Sequence, residues 1–399
     1  MYDIREARDK DRDSAIRLLW KAHSVTDPLD GVREEDWAKG WHRPEKRDWS
    51  FIAVYGDEVV ANVSFFEDKA NIIRGKSVPF SAVWGVATLP QHRRKGLIRK
   101  AFIESFKKMK ELGLSLSILA PFYKTYYEKF GYALAEHRVR HEFPRTLLRL
   151  VKGDESITNR EMTDPSEAKV AQEVQSSMSR FGSRNFHTIS SLERMIKGNH
   201  FHVFGKGSKP VGIVKFHFTK VEEDHLDLSV SATAYTSDDV FPSIVELVGH
   251  YATNATTIRW YCDPQVPVRY YMDDLQNWNT VDWSGMMMRV VDFETYCSTI
   301  SVPKSATESV TLKLDDDLCP WNAGTYLLSP SSGRLECIPL GKDEAPDISV
   351  DAFGLSEIIG GLTPPLILHS FGRLECSVDT ARNLEAIFPE DSFVSYQRF

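Results

Sequence analysis

Two short stretches of this chain hold residue types that could do chemistry together. The first, VATLPQHRRKGLIR (residues 86–99), sets the basic run Arg93 to Lys95 against Gly96; the second, TYYEKFGYA (residues 125–133), is rich in tyrosine. Cations and bare backbone amides at the start of a helix favour an anion such as a polyphosphate, and a glycine allows its close approach. A tyrosine phenol, with a reference pKa near 10, can supply a proton to a leaving group at neutral pH.

The elements that must hold these residues alternate between strand and helix. The residue spacing predicts a strand that ends near Thr88, a helix from Gly96 towards Gly113, and a further strand, LSLSILA, before the tyrosines. An antiparallel hairpin with its turn at Gly56-Asp57 is expected upstream. This order places the basic turn at the N-terminus of a helix, where the first amides have no partners within the helix.

Three regions follow one another along the chain. The pattern of the first region predicts a mixed α/β structure, and the charged and polar sequence between about residues 145 and 164 predicts a linker. A second α/β region, to about residue 292, repeats the order hairpin, strand, helix and strand, but without a second basic, glycine-containing turn. The last hundred or so residues alternate like strands and contain two short helical patterns. We therefore predict an α/β protein with mixed sheets and more than one domain, as its 399 residues also suggest.

The composition excludes several classes of protein. A net charge of -7 argues against a general nucleic-acid binder, and no apolar run reaches the roughly 18 residues of a membrane helix. The five cysteines form no CxxC pair, which favours reduced thiols in a cytoplasm over disulfides or a zinc site. No metal is predicted, and the run Asp315 to Asp317 is interpreted as a solvated face.

The order strand, QHRRKG, helix, strand and YEKFGY resembles the GCN5-related N-acetyltransferases. The turn from Arg93 to Ile98 is similar to the family pattern Q/R-x-x-G-x-G/A, with Ile98 in place of the usual small residue. HRRKGLIR and the Y-x-x-FGY loop are closer still to the enhanced intracellular survival (Eis) acetyltransferases. The resemblance covers the whole chain and implies a catalytic acetyltransferase domain (1–148), a degenerate second one (149–292) and a sterol-carrier-like domain (293–399).

The resemblance implies acetyl-CoA as the co-substrate and assigns roles to particular residues. Tyr127 would be the general acid that protonates the departing thiolate, and Phe399 would offer its α-carboxylate as the general base. From the residues alone, Tyr123 and Tyr126 remain alternatives for the acid. The residues expected to bind acetyl-CoA are Val86, Ala87, Thr88, Arg94, Lys95, Gly96, Leu97, Ile98, Arg99, Phe122 and Tyr123.

The acceptor is expected to be a cationic amine. Four candidate residues lie at or after the end of the first helix, where the resemblance places an acceptor groove: Trp20, Asp27, Trp37 and Trp41. Carboxylates and aromatic faces attract an ammonium group. The resemblance indicates direct acetylation of primary amines in a ternary complex, with aminoglycosides as acceptors, and a homo-oligomer, a hexamer in relatives. The alternatives are a protein-lysine or polyamine N-acetyltransferase, or a lipid-binding protein with a regulatory first domain.

Overall fold

The computed structural model describes residues 1–23, 41–42, 47–178, 182–222, 225–274, 276–341, 344–391 and 393–397. These residues form three main sheets and one small three-stranded sheet that joins distant parts of the chain. The mixed parallel and antiparallel sheets confirm the predicted α/β fold class, with more than one sheet-forming unit along the chain. Among the described residues, no helix has the length and apolar character needed to cross a membrane.

The first seven-stranded sheet carries the two stretches singled out above. Its strands run in the order β1-β2-β3-β5-β6-β16-β7, and β5 and β6 are parallel neighbours. Helix α2 packs on it with an apolar face that includes Ala101, Phe102 and Phe106. The elements of this part are β1 (Tyr2–Glu6), α1 (Arg12–His23), β2 (Asp48–Tyr55), β3 (Glu58–Asp68), β4 (Asn71–Ile72), β5 (Phe80–Thr88), α2 (Leu97–Glu111), β6 (Leu116–Leu119), α3 (Lys124–Glu128), β7 (Ala133–Leu134) and, from later in the chain, β16 (Met287–Val290).

The second seven-stranded sheet has the order β15-β8-β14-β13-β12-β11-β9, with β13 and β14 parallel. The predicted linker is wrong in part, because Ile157–Glu161 pairs with this sheet as its edge strand β9. The elements here are β8 (His137–Pro144), β9 (Ile157–Glu161), α4 (Ala168–Ser176), β10 (Arg184–Asn185), α5 (Ile189–Gly198), β11 (His200–Lys206), β12 (Lys209–Glu222), β13 (His225–Tyr235), α6 (Phe241–Tyr251), β14 (Thr257–Cys262) and β15 (Asn279–Ser284).

The first two sheets exchange strands across the sequence. Strand β8 follows directly on β7 of the first sheet but pairs with β14 and β15 in the second. Strand β16 follows β15 of the second sheet but pairs with β6 and β7 in the first. The two sheets are therefore interlocked, and the domain limits at residues 148 and 292 stay predictions.

The C-terminal part, whose sheet has the order β19-β18-β17-β20, packs against the first sheet. Phe80, Leu116 and Met288 of the first sheet share a core with Phe293 and Leu355 of the C-terminal part. The burial of apolar surface in this shared core is the main favourable contribution to the free energy of joining the two units. The elements are α7 (Phe293–Thr299), β17 (Val310–Asp315), β18 (Gly324–Ser331), β19 (Arg334–Pro339), β20 (Ile348–Asp351), α8 (Ala352–Gly360), α9 (Pro365–Ser370), α10 (Val378–Ile387) and β21 (Val394–Ser395).

Candidate active site

Strand β5 separates from its parallel neighbour β6 part-way along, and the gap opens the site. The two strands pair from Phe80 to Val83 and diverge beyond. A bulge in the pairing with β3 accompanies the divergence, and Gly85 has a left-handed backbone there, with φ +60°. The Asn62 side-chain amide donates to the Gly85 carbonyl at 2.7 Å and holds the bulge. Such bulges redirect a strand next to a functional site, and the residues from Val86 onwards line the gap.

Two left-handed residues shape the basic turn before helix α2. Arg94 has φ +61° and Gly96 has φ +70°. Turns with such alternation bring successive backbone N–H groups to one side, where they can bind an anion. Helix α2 begins at Leu97, and the first four N–H groups of a helix have no partners within it. Amide donors and cations coincide at this turn, which is what a polyphosphate needs.

A cavity of about 800 Å³ joins the end of β5, the basic turn and the loop after β6. This volume falls within the range of small-molecule sites. Its wall includes all but one of the residues predicted to bind acetyl-CoA: Val86, Ala87, Thr88, Arg94, Lys95, Gly96, Leu97, Ile98, Arg99 and Phe122. The remaining one, Tyr123, is largely exposed and lies outside this wall. The cavity therefore offers a charged end and an apolar end, as a long molecule with phosphates at one end requires.

The tyrosine loop, residues 122–132, closes the apolar end of the cavity. Tyr126 lines the cavity wall, and Tyr127 is buried behind Tyr126. The two rings meet edge to face, with their centroids 5.1 Å apart. Burial raises the pKa of the Tyr127 phenol well above its usual range. Burial also raises the pKa of Tyr126, although the nearby Arg93 lowers it in part. Both phenols are protonated at neutral pH, so either can act only as a proton donor.

Of the four residues predicted to line an acceptor groove, the structure describes two, Trp20 and Trp41. Trp41 is 1% exposed, and its indole N–H donates to Asn62 Oδ1 at 3.0 Å, beneath the bulge. Trp20 is half-buried at the end of α1. Asp27 and Trp37 lie outside the described residues. The structure thus gives Trp41 a supporting position under β5, with no open face for a ligand.

The C-terminal segment is docked between the first two sheets as far as it is described. Strand β21 pairs in parallel with β10, which also pairs with β4 of the first unit. Gln397 accepts a hydrogen bond from the Thr188 amide at 3.1 Å, and its own amide donates to Asp68 at 3.4 Å. Burial raises the pKa of this Asp68 carboxyl. Phe399, the predicted base, lies outside the described residues.

The second sheet has a corresponding gap, and the chain itself enters it. Strands β13 and β14 pair up to Val230 and Trp260 and then diverge, as β5 and β6 do. Tyr396 enters between the diverging ends, and its hydroxyl donates to the Thr233 carbonyl at 3.2 Å. The turn before helix α6 reads TSDDV, acidic where the first unit has its basic turn. Both features oppose the binding of an anionic ligand in this second gap.

A loop from the C-terminal part, residues 315–322, reaches helix α2 of the first unit, and sequence reasoning missed it. The interpretation of Asp315 to Asp317 as a solvated face is wrong for Asp316, which is 5% exposed and accepts two hydrogen bonds from Arg289. A signal was available, because Arg289 is the one charged residue in the apolar run MMMRVV. A buried charge needs a partner, so such a run indicates a carboxylate elsewhere in the core.

The comparisons with known proteins agree with this architecture. Residues 3–135 match the acetyltransferase (GNAT) domain, and residues 294–394 match the sterol carrier protein domain. No curated protein sequence matches the chain. The solved structures it resembles include a GCN5-related N-acetyltransferase from Anabaena variabilis (TM-score 0.84, 17% identity) and Eis1 from Mycobacterium abscessus (TM-score 0.78, 18% identity). In both cases the match covers 100% of this chain and 100% of the other chain. A GCN5-related N-acetyltransferase from Kribbella flavida gives a TM-score of 0.81 at 21% identity, over 100% of this chain and 98% of that one.

At such identities, the likeness to solved structures establishes the fold, while the match of residues 3–135 establishes the kind of domain that contains the cavity. The cavity, the basic turn and the tyrosine loop all lie within those residues. Residues 3–135 are therefore an acetyltransferase (GNAT) domain and residues 294–394 are a sterol carrier protein domain, and the whole chain has a fold shared with solved structures that include Eis1 from Mycobacterium abscessus.

Proposed function

We propose that this protein transfers the acetyl group of acetyl-CoA to a primary amine of a cationic small molecule, with aminoglycosides as the acceptor class that the resemblance implies. One observation carries the proposal: a single cavity joins the end of strand β5, the basic turn before helix α2 and the half-buried Tyr126, whose ring contacts the buried Tyr127 behind it. The net charge of -7 favours cationic acceptors over anionic ones.

Acetyl-CoA fits the cavity by chemistry at both ends. Strand β5 does not pair with β6 beyond Val83, so backbone groups on that side of Val86 to Thr88 can bond the amides of the pantetheine arm. The turn from Arg94 to Arg99 supplies amides and positive charge for the pyrophosphate. The left-handed Arg94 is the less favoured of the two turn residues, because a side chain disfavours that conformation.

The reaction is a direct transfer. The neutral amine attacks the thioester carbonyl, the new C–N bond forms, and the C–S bond breaks. The thiolate takes a proton from the acid, for which we propose Tyr127, and the proton of the new ammonium passes to a base. For that base we propose the α-carboxylate of Phe399, as the resemblance implies. Its reference pKa near 3.5 makes it a weak base in water, so it must act on an amine already close to neutrality or at a raised pKa.

A covalent acetyl-cysteine intermediate is not part of the proposal. Burial raises the pKa of Cys319 to about 12 and raises that of Cys262 further. Since the thiolate is the nucleophile, thiols with raised pKa are poor ones. Neither residue belongs to the cavity wall.

The acid can be identified by three matched substitutions. Tyr127→Phe, Tyr126→Phe and Tyr123→Phe each remove one hydroxyl and leave the ring. General acid catalysis is worth about 10²- to 10⁴-fold, so Tyr127→Phe should lower kcat by at least about 100-fold. The exposed Tyr123 serves as the control and should lose less than about two-fold. A larger loss with Tyr126→Phe than with Tyr127→Phe would transfer the role to Tyr126, which lines the cavity.

The acceptor class can be identified by release of free thiol from acetyl-CoA across aminoglycosides, polyamines and lysine-containing peptides. We expect the highest kcat/KM with aminoglycosides. Faster turnover of lysine peptides or polyamines would favour the alternative acceptors. If none of the three acceptors gives thiol release, the result would instead favour a lipid-binding protein, as the sterol carrier protein domain allows.

We also propose that the protein is a cytoplasmic homo-oligomer, a hexamer by resemblance, without a nucleic-acid, membrane or metal partner.

A further inference from the structure

Two successive carbonyl groups of the tyrosine loop are held by side chains from outside it. The Phe130 carbonyl accepts a hydrogen bond from Arg289 Nη1, and the Gly131 carbonyl accepts one from Ser356 Oγ at 2.7 Å. Arg289 lies on strand β16, and Ser356 lies on helix α8 of the sterol carrier protein domain. Both side chains are buried, and neither belongs to the cavity wall. The loop is thus fixed from two sides by groups that no ligand in the cavity touches.

Arg289 is itself oriented by the sterol carrier protein domain. Its Nη2 donates to both carboxylate oxygens of Asp316, at 2.7 and 2.8 Å, and the Cys319 amide donates to the same carboxylate at 2.9 Å. The guanidinium also stacks over Phe106 of helix α2, 4.5 Å from the ring centroid. The Nε of Arg289 has no hydrogen-bond partner among the described residues, but the two bonds to Asp316 hold the pair together, because loss of either residue would leave an uncompensated buried charge. Arg289 therefore transmits the position of Asp316 to the loop.

The loop carries this constraint back to Tyr127. The amides of Phe130 and Tyr132 both donate to the Tyr127 carbonyl, at 2.9 and 3.3 Å. Between them, Gly131 has φ +81°, and a Cβ on it would collide with Arg289 and lie 2.9 Å from the Ala352 side chain. The turn that follows Tyr127 is therefore packed directly against both outside groups, without space for a side chain.

We propose that Arg289 and Ser356 are positioning residues for acetyl transfer, through which the sterol carrier protein domain sets the position of the tyrosine that protonates the leaving thiolate. This inference rests on the proposed function, since it needs a proton donor in the loop. Misplacement of a catalytic group by about 1 Å can lower a rate by about 100-fold. Through these two residues the sterol carrier protein domain takes part in acetyl transfer from outside the cavity wall.

The milder test removes one hydroxyl. Ser356→Ala deletes the bond to Gly131 together with the 2.8 Å contact of the same hydroxyl with the Ala352 carbonyl, four residues earlier in helix α8. Ser105→Ala is its matched control, because Ser105 is equally buried and donates to the carbonyl of Ala101, four residues earlier in helix α2. We expect kcat of Ser356→Ala to fall about ten-fold, with KM for acetyl-CoA within two-fold of wild type. Titration with coenzyme A should give wild-type stoichiometry and Kd, which shows that every molecule is folded. The Ser105→Ala protein should keep the wild-type kcat.

The second test releases the other carbonyl. Arg289→Met combined with Asp316→Asn removes both charges together, so no unpaired charge is left buried. We expect a loss of kcat of about 100-fold, again with coenzyme A bound at wild-type stoichiometry. The kcat-against-KM split is the measurement that a general loss of packing would not produce.

The outcomes separate this inference from the proposed function. If wild type acetylates amines and both variants keep the wild-type kcat, the positioning role is overturned and the function stands. An equal loss of kcat or of bound coenzyme A in Ser356→Ala and Ser105→Ala would also overturn it, in favour of a structural role. A wild type that binds coenzyme A but acetylates no amine would overturn both.

Discussion

Asp317 belongs to the sterol carrier protein domain, yet its carboxylate lies 2.5 Å from the guanidinium of Arg99 in the cavity wall. Both side chains are substantially exposed, at 81% and 43%. If Arg99 binds a phosphate of acetyl-CoA, that phosphate must compete with Asp317 for the same cation. Asp317→Asn should therefore tighten the binding of coenzyme A.

The magnitude follows from the exposure of the pair. Ion pairs of this kind contribute about 0.2–1 kcal/mol, because water screens them. Releasing Arg99 from Asp317 should return that amount to phosphate binding, which lowers the Kd for coenzyme A by about 1.4- to five-fold. Screening should remove the gain at about 1 M salt, where the Debye length is about 3 Å.

The assay is calorimetric titration with coenzyme A at low and high salt. Asp315→Asn is the matched control, since Asp315 is an exposed carboxylate of the same loop. A Kd for Asp317→Asn no lower than that of Asp315→Asn at low salt would refute the reasoning. A gain that persists at high salt would refute its electrostatic basis.

Three further predictions concern the scaffold. Asn62→Ala should lower the free energy of unfolding by about 3 kcal/mol in urea titrations, because the Trp41 indole and the Gly85 carbonyl lose buried partners; a loss below about 1 kcal/mol would contradict this. Burial lowers the pKa of His187 to about 3, so the folded state binds fewer protons than the unfolded state between that value and 6.5. The free energy of unfolding should therefore fall with pH below 6.5, by up to about 1.4 kcal/mol per pH unit, and His187→Gln should reduce that slope; equal slopes would contradict this. Titration with coenzyme A should give one site per chain in wild type and in Tyr396→Ala, and a second site in the variant would show that the second gap still binds it.

Sequence reasoning succeeded where the chemistry is local. The basic turn, the strand before it and the helix after it lie within residues 80–111, so their spacing alone predicts their arrangement. The alternation of strands and helices likewise predicts the fold class, because it needs no knowledge of which strands pair. The cavity residues from Val86 to Arg99 come from this local pattern together with the resemblance.

Sequence reasoning failed where the partners belong to different elements of the tertiary structure. Arg289 and Asp316 lie on different domains, and the pairing of β16 with β6 joins residues more than 160 positions apart. Hydrophobic periodicity reports which face of an element is buried but not what covers it. For the same reason Trp41 was expected in a binding groove, although an indole with one buried amide partner serves equally well as support for a bulge.

The exchanged strands bear on how this chain acquires its structure. The catalytic sheet has β16 between β6 and β7, so it cannot close until residue 290 has been synthesised. Until then β6 presents an unpaired edge, which is a template for association with other chains. Pairing over so long a separation also slows folding, because the intervening loop must close first. A fragment that ends near residue 148 would keep every residue of the cavity wall and still expose that edge, so we expect it to aggregate rather than act as a minimal enzyme.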